Sequence, residues 1–238
     1  MTFSADRSHV GPDRSSARPR PEPLSVERDV LAARVLDALG ASCPGSQARL
    51  RGSLSTGTAD EYSDIDVEWL VPDGSLAGCL ATVRATLDRV QPVAAVRTAP
   101  DFFHSPRRRL LFVRFAEVSL FWRLDLDVRE FGDVREFGTG PGDPADHARD
   151  GEWSKPASAL ANALGAIKAV ARGRYEDARG LLSRGFMRID EIDSSTGPWT
   201  QAVTRLAEAA VRRDASLAGL AEEIVSLAAE ELAGIEKS

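Results

Sequence analysis

The chain has 238 residues, 43% of them hydrophobic and 28% charged, with a formal net charge of −6. That is the make-up of an ordinary globular protein with room for one large or two compact domains, and it lacks the basic excess of a general binder of long nucleic acid. No apolar run approaches a membrane span, the start of the chain has no signal-peptide core, and Cys43 and Cys79 form neither a disulfide framework nor a metal-ligand spacing, so a cytoplasmic protein is expected.

Residues 1 to 24 are rich in Ser, Arg, Pro and Asp and poor in large apolar side chains, which predicts a disordered tail. A helix is expected from Ser25 to Leu39, with Val26, Val30, Ala33 and Leu36 inward and Gly40 as its stop. The stretch LRGSLSTGTADEYSDIDVEWLV, Leu50 to Val71, carries the densest pattern in the chain. Its expected layout is a strand from Ala48 to Ser53, a turn of small residues able to open a helical turn, and a second strand from Asp64 to Val71. Alternation along the second strand puts Asp64, Asp66 and Glu68 on an outward acidic face and Ile65, Val67 and Trp69 on a packed one. Two carboxylates at i and i+2 repel each other, and a hard divalent cation such as Mg²⁺ relieves that repulsion. Gly52, without a Cβ, allows a ligand close to the main chain, and backbone N–H groups beside it and Ser53 favour an anion.

Pro72-Asp73-Gly74 reads as a turn and Ser75 as the cap of a helix with Leu76, Cys79, Leu80, Val83, Leu87 and Val90 on one stripe, which makes Cys79 a core thiol. A strand is expected at 93–97, followed by a loop holding His104, to which no role is given, and Arg107 to Arg109. Strands at 110–115 and 118–128 are expected to form a hairpin around Ala116-Glu117. The second of them places Arg123, Asp125 and Asp127 on the face opposite Leu124, Leu126 and Val128. Residues 129–156 are Gly-, Pro- and Asp-rich and repeat VREFG at 128–132 and 134–138, marking a domain boundary. Four amphipathic helices, about 156–172, 174–188, 198–212 and 216–234, suggest a small bundle. The expected layout is thus a tail (1–24), an α+β domain (25–140) and a helical domain (150–238).

The ordered set Gly52-Ser53, Gly57 and Ser63-Asp64-Ile65-Asp66 before an apolar run resembles the signature of the DNA-polymerase-β-like nucleotidyltransferases. The resemblance covers roughly residues 46 to 128. Over the helical half it is architectural only, and there it is similar to aminoglycoside and lincosamide nucleotidyltransferases. It implies a small mixed-sheet core with flanking helices, and two Mg²⁺ ions held by Asp64, Asp66 and a third carboxylate on a later strand, Asp125, with Asp127 as runner-up. It also implies a nucleoside triphosphate such as ATP as co-substrate, with Gly52, Ser53 and Ser63 near its phosphates. Asp125 is then a metal ligand or the base for the acceptor hydroxyl. Lysine occurs only at Lys155, Lys168 and Lys237, so Lys168, inside an apolar helix, is a candidate triphosphate contact.

The expected acceptor is a small hydroxylated molecule. The acidic loop Asp190, Glu191 and Asp193 suggests a cationic one, such as an aminoglycoside-like antibiotic. The alternatives are nucleotidylation of a protein or RNA end, or a non-catalytic nucleotide-binding descendant.

Overall fold

The computed structural model describes residues 23–133 and 144–235. Residues 1–22 of the expected tail and the second VREFG copy lie outside the described residues. In chain order the elements are α1 (Pro23–Ser42), β1 (Gln47–Leu50), α2 (Gly52–Thr56), β2 (Ile65–Val71), α3 (Leu76–Asp88), β3 (Val93–Thr98), β4 (Arg108–Phe115), β5 (Leu124–Glu130), α4 (Lys155–Ala171), α5 (Tyr175–Arg188), α6 (Trp199–Arg213) and α7 (Ala218–Leu232). Among the described residues no helix is long and apolar enough to cross a membrane.

The five strands form one mixed sheet in the order β1-β2-β5-β4-β3, parallel between β2 and β5 and antiparallel elsewhere. One face is apolar: Ile65, Val67, Trp69, Leu124, Leu126, Val128 and Val113 are all at most 1% exposed. Beneath it lie α1 and α3, which contribute Leu31, Val35 and Leu39, and Leu76, Cys79, Val83 and Leu87. The fold is therefore α+β, a small mixed sheet with flanking helices followed by a helical part, as anticipated. The same cluster of buried apolar side chains continues into the helical part through Leu160, Ile167, Leu182, Leu206 and Ile224.

Several local expectations change. Helix α1 runs through Gly40 to Ser42, and its buried stripe is Leu31, Ala32, Val35 and Leu39, while Val30 is 52% exposed. Complete burial of Leu39 outweighs the cost of about 1 kcal/mol for a helical glycine, and the left-handed residue is Gly45 instead, at φ +83°. Strand β1 ends at Leu50, because Gly52 and Ser53 already belong to α2. No tight hairpin joins β4 to β5: residues 116–123 form a looped connection, and β5 begins only at Leu124. Phe121 and Trp122 are both buried although they lie outside the strand, so the apolar alternation there reports a packed loop and not a pleat.

The acidic face of β2 is only partly outward. Glu68 is 1% exposed and pairs with Arg49 and Arg129, and Asp127, next to it on β5, is held by Arg108 at 2.8 and 2.9 Å. This half of the polar face is a ladder of alternating charge in which a guanidinium is packed against each buried carboxylate.

Candidate active site

The open end of the polar face is where β2 and β5 begin. The parallel register sets Asp66 directly opposite Asp125 and Glu68 opposite Asp127. Asp125 is therefore the carboxylate beside the first two, and Asp127 is committed to Arg108 one pleat deeper. Asp64 precedes β2, in a segment fixed where the Ile65 amide donates to the Arg123 carbonyl at 2.9 Å.

Gly52 has a function that spacing alone does not disclose. Its φ is +54°, and a Cβ built there would overlap Asp66 Oδ2. The glycine makes room for the carboxylate of its neighbouring strand, in a backbone conformation that L side chains rarely adopt. Ser53 and Asp66 line one cavity of about 460 Å³ together with Asp64, Lys168, Arg172 and Arg174.

Ser63 borders the same cavity, but its hydroxyl donates to Asp60 Oδ1 at 2.8 Å and accepts from the Asp60 amide at 3.0 Å. Asp60 is in turn gripped by Arg172 at 2.5 and 2.6 Å. That pairing, with help from Ser63, holds the Asp60 carboxyl well below the usual carboxylate range against the opposing effect of burial. Ser63 is thus 6% exposed and spent on shaping the loop. Asp60 and Arg172 went unnoticed in the sequence. The usable signal was the spacing from Lys168 to Arg172, one helical turn on the same face of α4.

Lys168 comes from the helical part and reaches the sheet. Its ammonium, in a side chain 10% exposed, donates to Asp64 Oδ1 and to the Phe121 carbonyl at 3.1 Å. Burial pulls its pKa down while Asp64 opposes that shift. Arg123 makes a bidentate pair with Asp125 at 2.6 and 2.7 Å and lies 3.6 Å from Asp64. Among the described residues Asp66 has no such partner of its own. Burial, then Asp125 and Asp64, push its carboxyl up to about 6.

This donor set fits a divalent cation in part. Asp64 and Asp66 are hard oxygen donors on one cavity wall, and burial followed by the neighbouring Asp125 and Asp64 raises the Asp66 carboxyl, a shift that a bound cation would oppose. Asp125 does not join them here, since Arg123 occupies both its oxygens. Among the described residues no set of three His, Cys, Asp or Glu side chains is arranged to hold a metal. The expected three-carboxylate set is therefore not assembled among the described residues: Asp64 and Asp66 share the cavity wall, Asp64 beside Lys168, and Asp125 is adjacent but engaged.

The remaining expectations resolve simply. Arg107 pairs with Asp73 and Glu130, Arg108 with Asp127, and Arg109 donates to the Phe102 and Phe103 carbonyls, so none faces the cavity. His104 meets Glu152 at 2.6 Å. Cys79 is a core thiol, 5% exposed, its pKa pushed up to about 12 by burial and by Cys43. In the acidic loop, Glu191 faces Arg212 and Arg213, and Asp193 Oδ1 accepts from the Ser195 amide at 2.9 Å.

No family model matches the sequence, and no curated protein matches it. Among solved structures the chain is similar to a GLD-2/RNP-8 complex, at 11% identity over 71% of this chain and 60% of that one, with a TM-score of 0.36. It is similar to a non-canonical poly(A) polymerase complex, GLD-2 – GLD-3, at 13% identity, 78% and 52% coverage and a TM-score of 0.35. A third likeness is to a protein from H. pylori described as a candidate nucleotidyltransferase, at 13% identity, 92% and 98% coverage and a TM-score of 0.28. The chain spans only 60% and 52% of the first two. At these identities and TM-scores the likenesses carry no weight for activity.

Proposed function

We propose that this protein is a divalent-metal-dependent nucleotidyltransferase that moves a nucleoside monophosphate from a nucleoside triphosphate to a hydroxyl of a small molecule. The observation that carries this reading is the single cavity in which Ser53, Asp64 and Asp66 meet Lys168, Arg172 and Arg174, with Asp125 in register beside Asp66. Asp64 and Asp66 would hold the ion, joined by Asp125 once Arg123 turns aside. A bound Mg²⁺ supplies charge neutralisation at the reacting phosphate.

The protein's own groups supply the rest. Lys168, Arg172 and Arg174 bring positive charge to the triphosphate, and Ser53 brings a hydroxyl and an amide at the cavity floor. Fixing donor and acceptor on either side of Asp64 contributes much of the rate by positioning. The acceptor oxygen forms its bond to the α-phosphorus as the bond to pyrophosphate breaks, and Asp125, once released by Arg123, would take the hydroxyl proton.

The test incubates the full chain with each nucleoside triphosphate, Mg²⁺ and a panel of hydroxyl compounds, following pyrophosphate release and adduct mass. Asp64→Asn and Asp66→Asn are expected to abolish turnover with the circular dichroism spectrum unchanged. Near-normal turnover in both variants overturns the reading. A second reading, a nucleotide-binding protein without catalysis, is favoured by the neutralisation of Asp64 and Asp125 by Lys168 and Arg123. Triphosphate binding with no adduct from any acceptor would select it.

A further inference from the structure

On the far side of Asp64 and Lys168 lies a second cavity, of about 310 Å³, whose other polar lining includes Arg97, Arg123, Asn162 and Arg188. It adjoins a third, of about 300 Å³, across a shared wall of Arg97, Phe112, Arg123 and Leu164. The third cavity is walled mostly by aliphatic side chains from β3, α4 and α7, among them Val96, Leu160, Leu217, Leu220 and Ile224.

The charges of this double chamber are unbalanced. The Arg97 guanidinium makes no hydrogen bond or ion pair among the described residues; it is half-buried and lies 4.8 Å from the centre of the Phe112 ring, with Arg123 4.6 Å from the same centre. Arg188 donates to the Ser158 hydroxyl and lies over Trp153, with no carboxylate paired to it among the described residues. Of the three acidic residues on the walls, Asp64 is tied to Lys168, Asp101 to His147 at 3.2 Å, and Asp214, at the edge of the aliphatic cavity, accepts from the Ser216 amide and hydroxyl. Burial and the neighbouring Arg123 and Arg188 pull the Arg97 pKa down to about 10, with Asp125 opposing, which still leaves it charged at neutral pH. Two guanidiniums without an acidic partner, in a cleft bounded by low-dielectric walls, attract an anion.

We propose that this double chamber takes the acceptor and that the acceptor is a small amphipathic anion. It would be a hydroxylated compound with a carboxylate or phosphate group held by Arg97 and Arg188 and an apolar portion lying against Leu160, Leu217 and Ile224. The assignment of the chamber to the acceptor rests on the reading that the triphosphate enters on the Ser53 side. The acidic loop contributes nothing to the chamber: Asp190, Glu191 and Asp193 are absent from its lining.

Calorimetric titration of the full chain with hydroxyoctanoate, hydroxyoctyl phosphate and neutral octanediol tests the proposal. At least one anion is expected to bind, and the diol to bind about ten-fold more weakly or worse, as a charge-assisted hydrogen bond is worth roughly 1.5–3 kcal/mol. The two anionic arms tell a carboxylate from a phosphate. Arg97→Met and Arg188→Met are each expected to weaken the anion about ten-fold while leaving the diol and Mg-ATP unchanged, and the second variant serves where the first does not fold.

Equal affinity for diol and anions, binding of neither anion, or unchanged anion affinity in both variants overturns it. Mg-ATP titrated separately keeps the two readings apart. Anion binding without Mg-ATP binding sinks the transferase reading and leaves the anion chamber standing. Mg-ATP binding without anion binding does the reverse.

Discussion

At the scale of single residues, placement and charge can be separated. Asp66 has a folded pKa of about 6 against an ordinary 3.8. A raised pKa means that the native state binds the proton more tightly than the unfolded chain does, so this contribution to stability is present below about pH 4 and is lost as pH rises through 6. In chelator-treated protein, the melting temperature of the wild type relative to Asp66→Asn is expected to fall between pH 4 and 6 and then level off. A flat difference across that window would show that Asp66 is not held in this environment. Adding Mg²⁺ at pH 8 is expected to raise the melting temperature of the wild type and not of the variant. That Asp64 and Asp66 border one cavity was legible from the i, i+2 spacing, whereas the room that Gly52 leaves for Asp66 Oδ2 was not. What spacing leaves out is that Lys168 and Arg123 already engage two of the three carboxylates: Lys168 lies 104 residues from Asp64, and Arg123, two residues from Asp125, sits in the loop before β5, where no strand alternation fixes its side chain. Ser63 misleads for a related reason: it lies within the motif, yet its hydroxyl is used up three residues away.

At the scale of elements, two packing contacts make sharp expectations. A Cβ at Gly185 on α5 would come within 2.5 Å of Leu206 Cδ2 on α6. Gly185→Ala gains about 1 kcal/mol of helix propensity but must displace a fully buried leucine, an overpacking cost of about 1–3 kcal/mol. A net loss of stability in denaturant titration is expected, and Leu206→Val in the same chain should recover part of it. The Arg108–Asp127 pair, with side chains 6% and 1% exposed, gives a second expectation. Arg108→Met alone strands a buried carboxylate and is expected to cost about 3–5 kcal/mol, whereas combining it with Asp127→Leu restores most of that stability. A double variant as unstable as the single one would refute the ladder as described. Helix positions were legible to within two or three residues because α3, α4, α5 and α6 repeat apolar residues at helical spacing. The connection at 116–123 was not. Its alternating Val118, Leu120 and Trp122 satisfy the strand pattern equally well, and only tertiary packing of Phe121 and Trp122 decides against it.

At the scale of the whole molecule, the sheet part and the helical part share one buried apolar cluster and are tied further by Lys168 to Asp64, Arg172 to Asp60 and Arg114 to Glu223. Cooperative unfolding follows from such continuity. Variants that keep only Trp69, in the sheet, or only Trp199, in α6, are expected to report the same denaturant midpoint. Separated midpoints would mean that the two parts fold independently. That the chain divides into a sheet-rich and a helix-rich half was readable from its pattern. The depth of their shared core was not, because no period in the sequence records which helix stripe meets which loop.

The helix α4 borders all three cavities: Lys168 looks into the first and second, Asn162 into the second, and Leu160 into the third. Lys168 reaches both the first and the second chamber, so an anion that draws its ammonium into one withdraws it from the other. Whatever factor the first imposes on the affinity of the second, the second returns to the first.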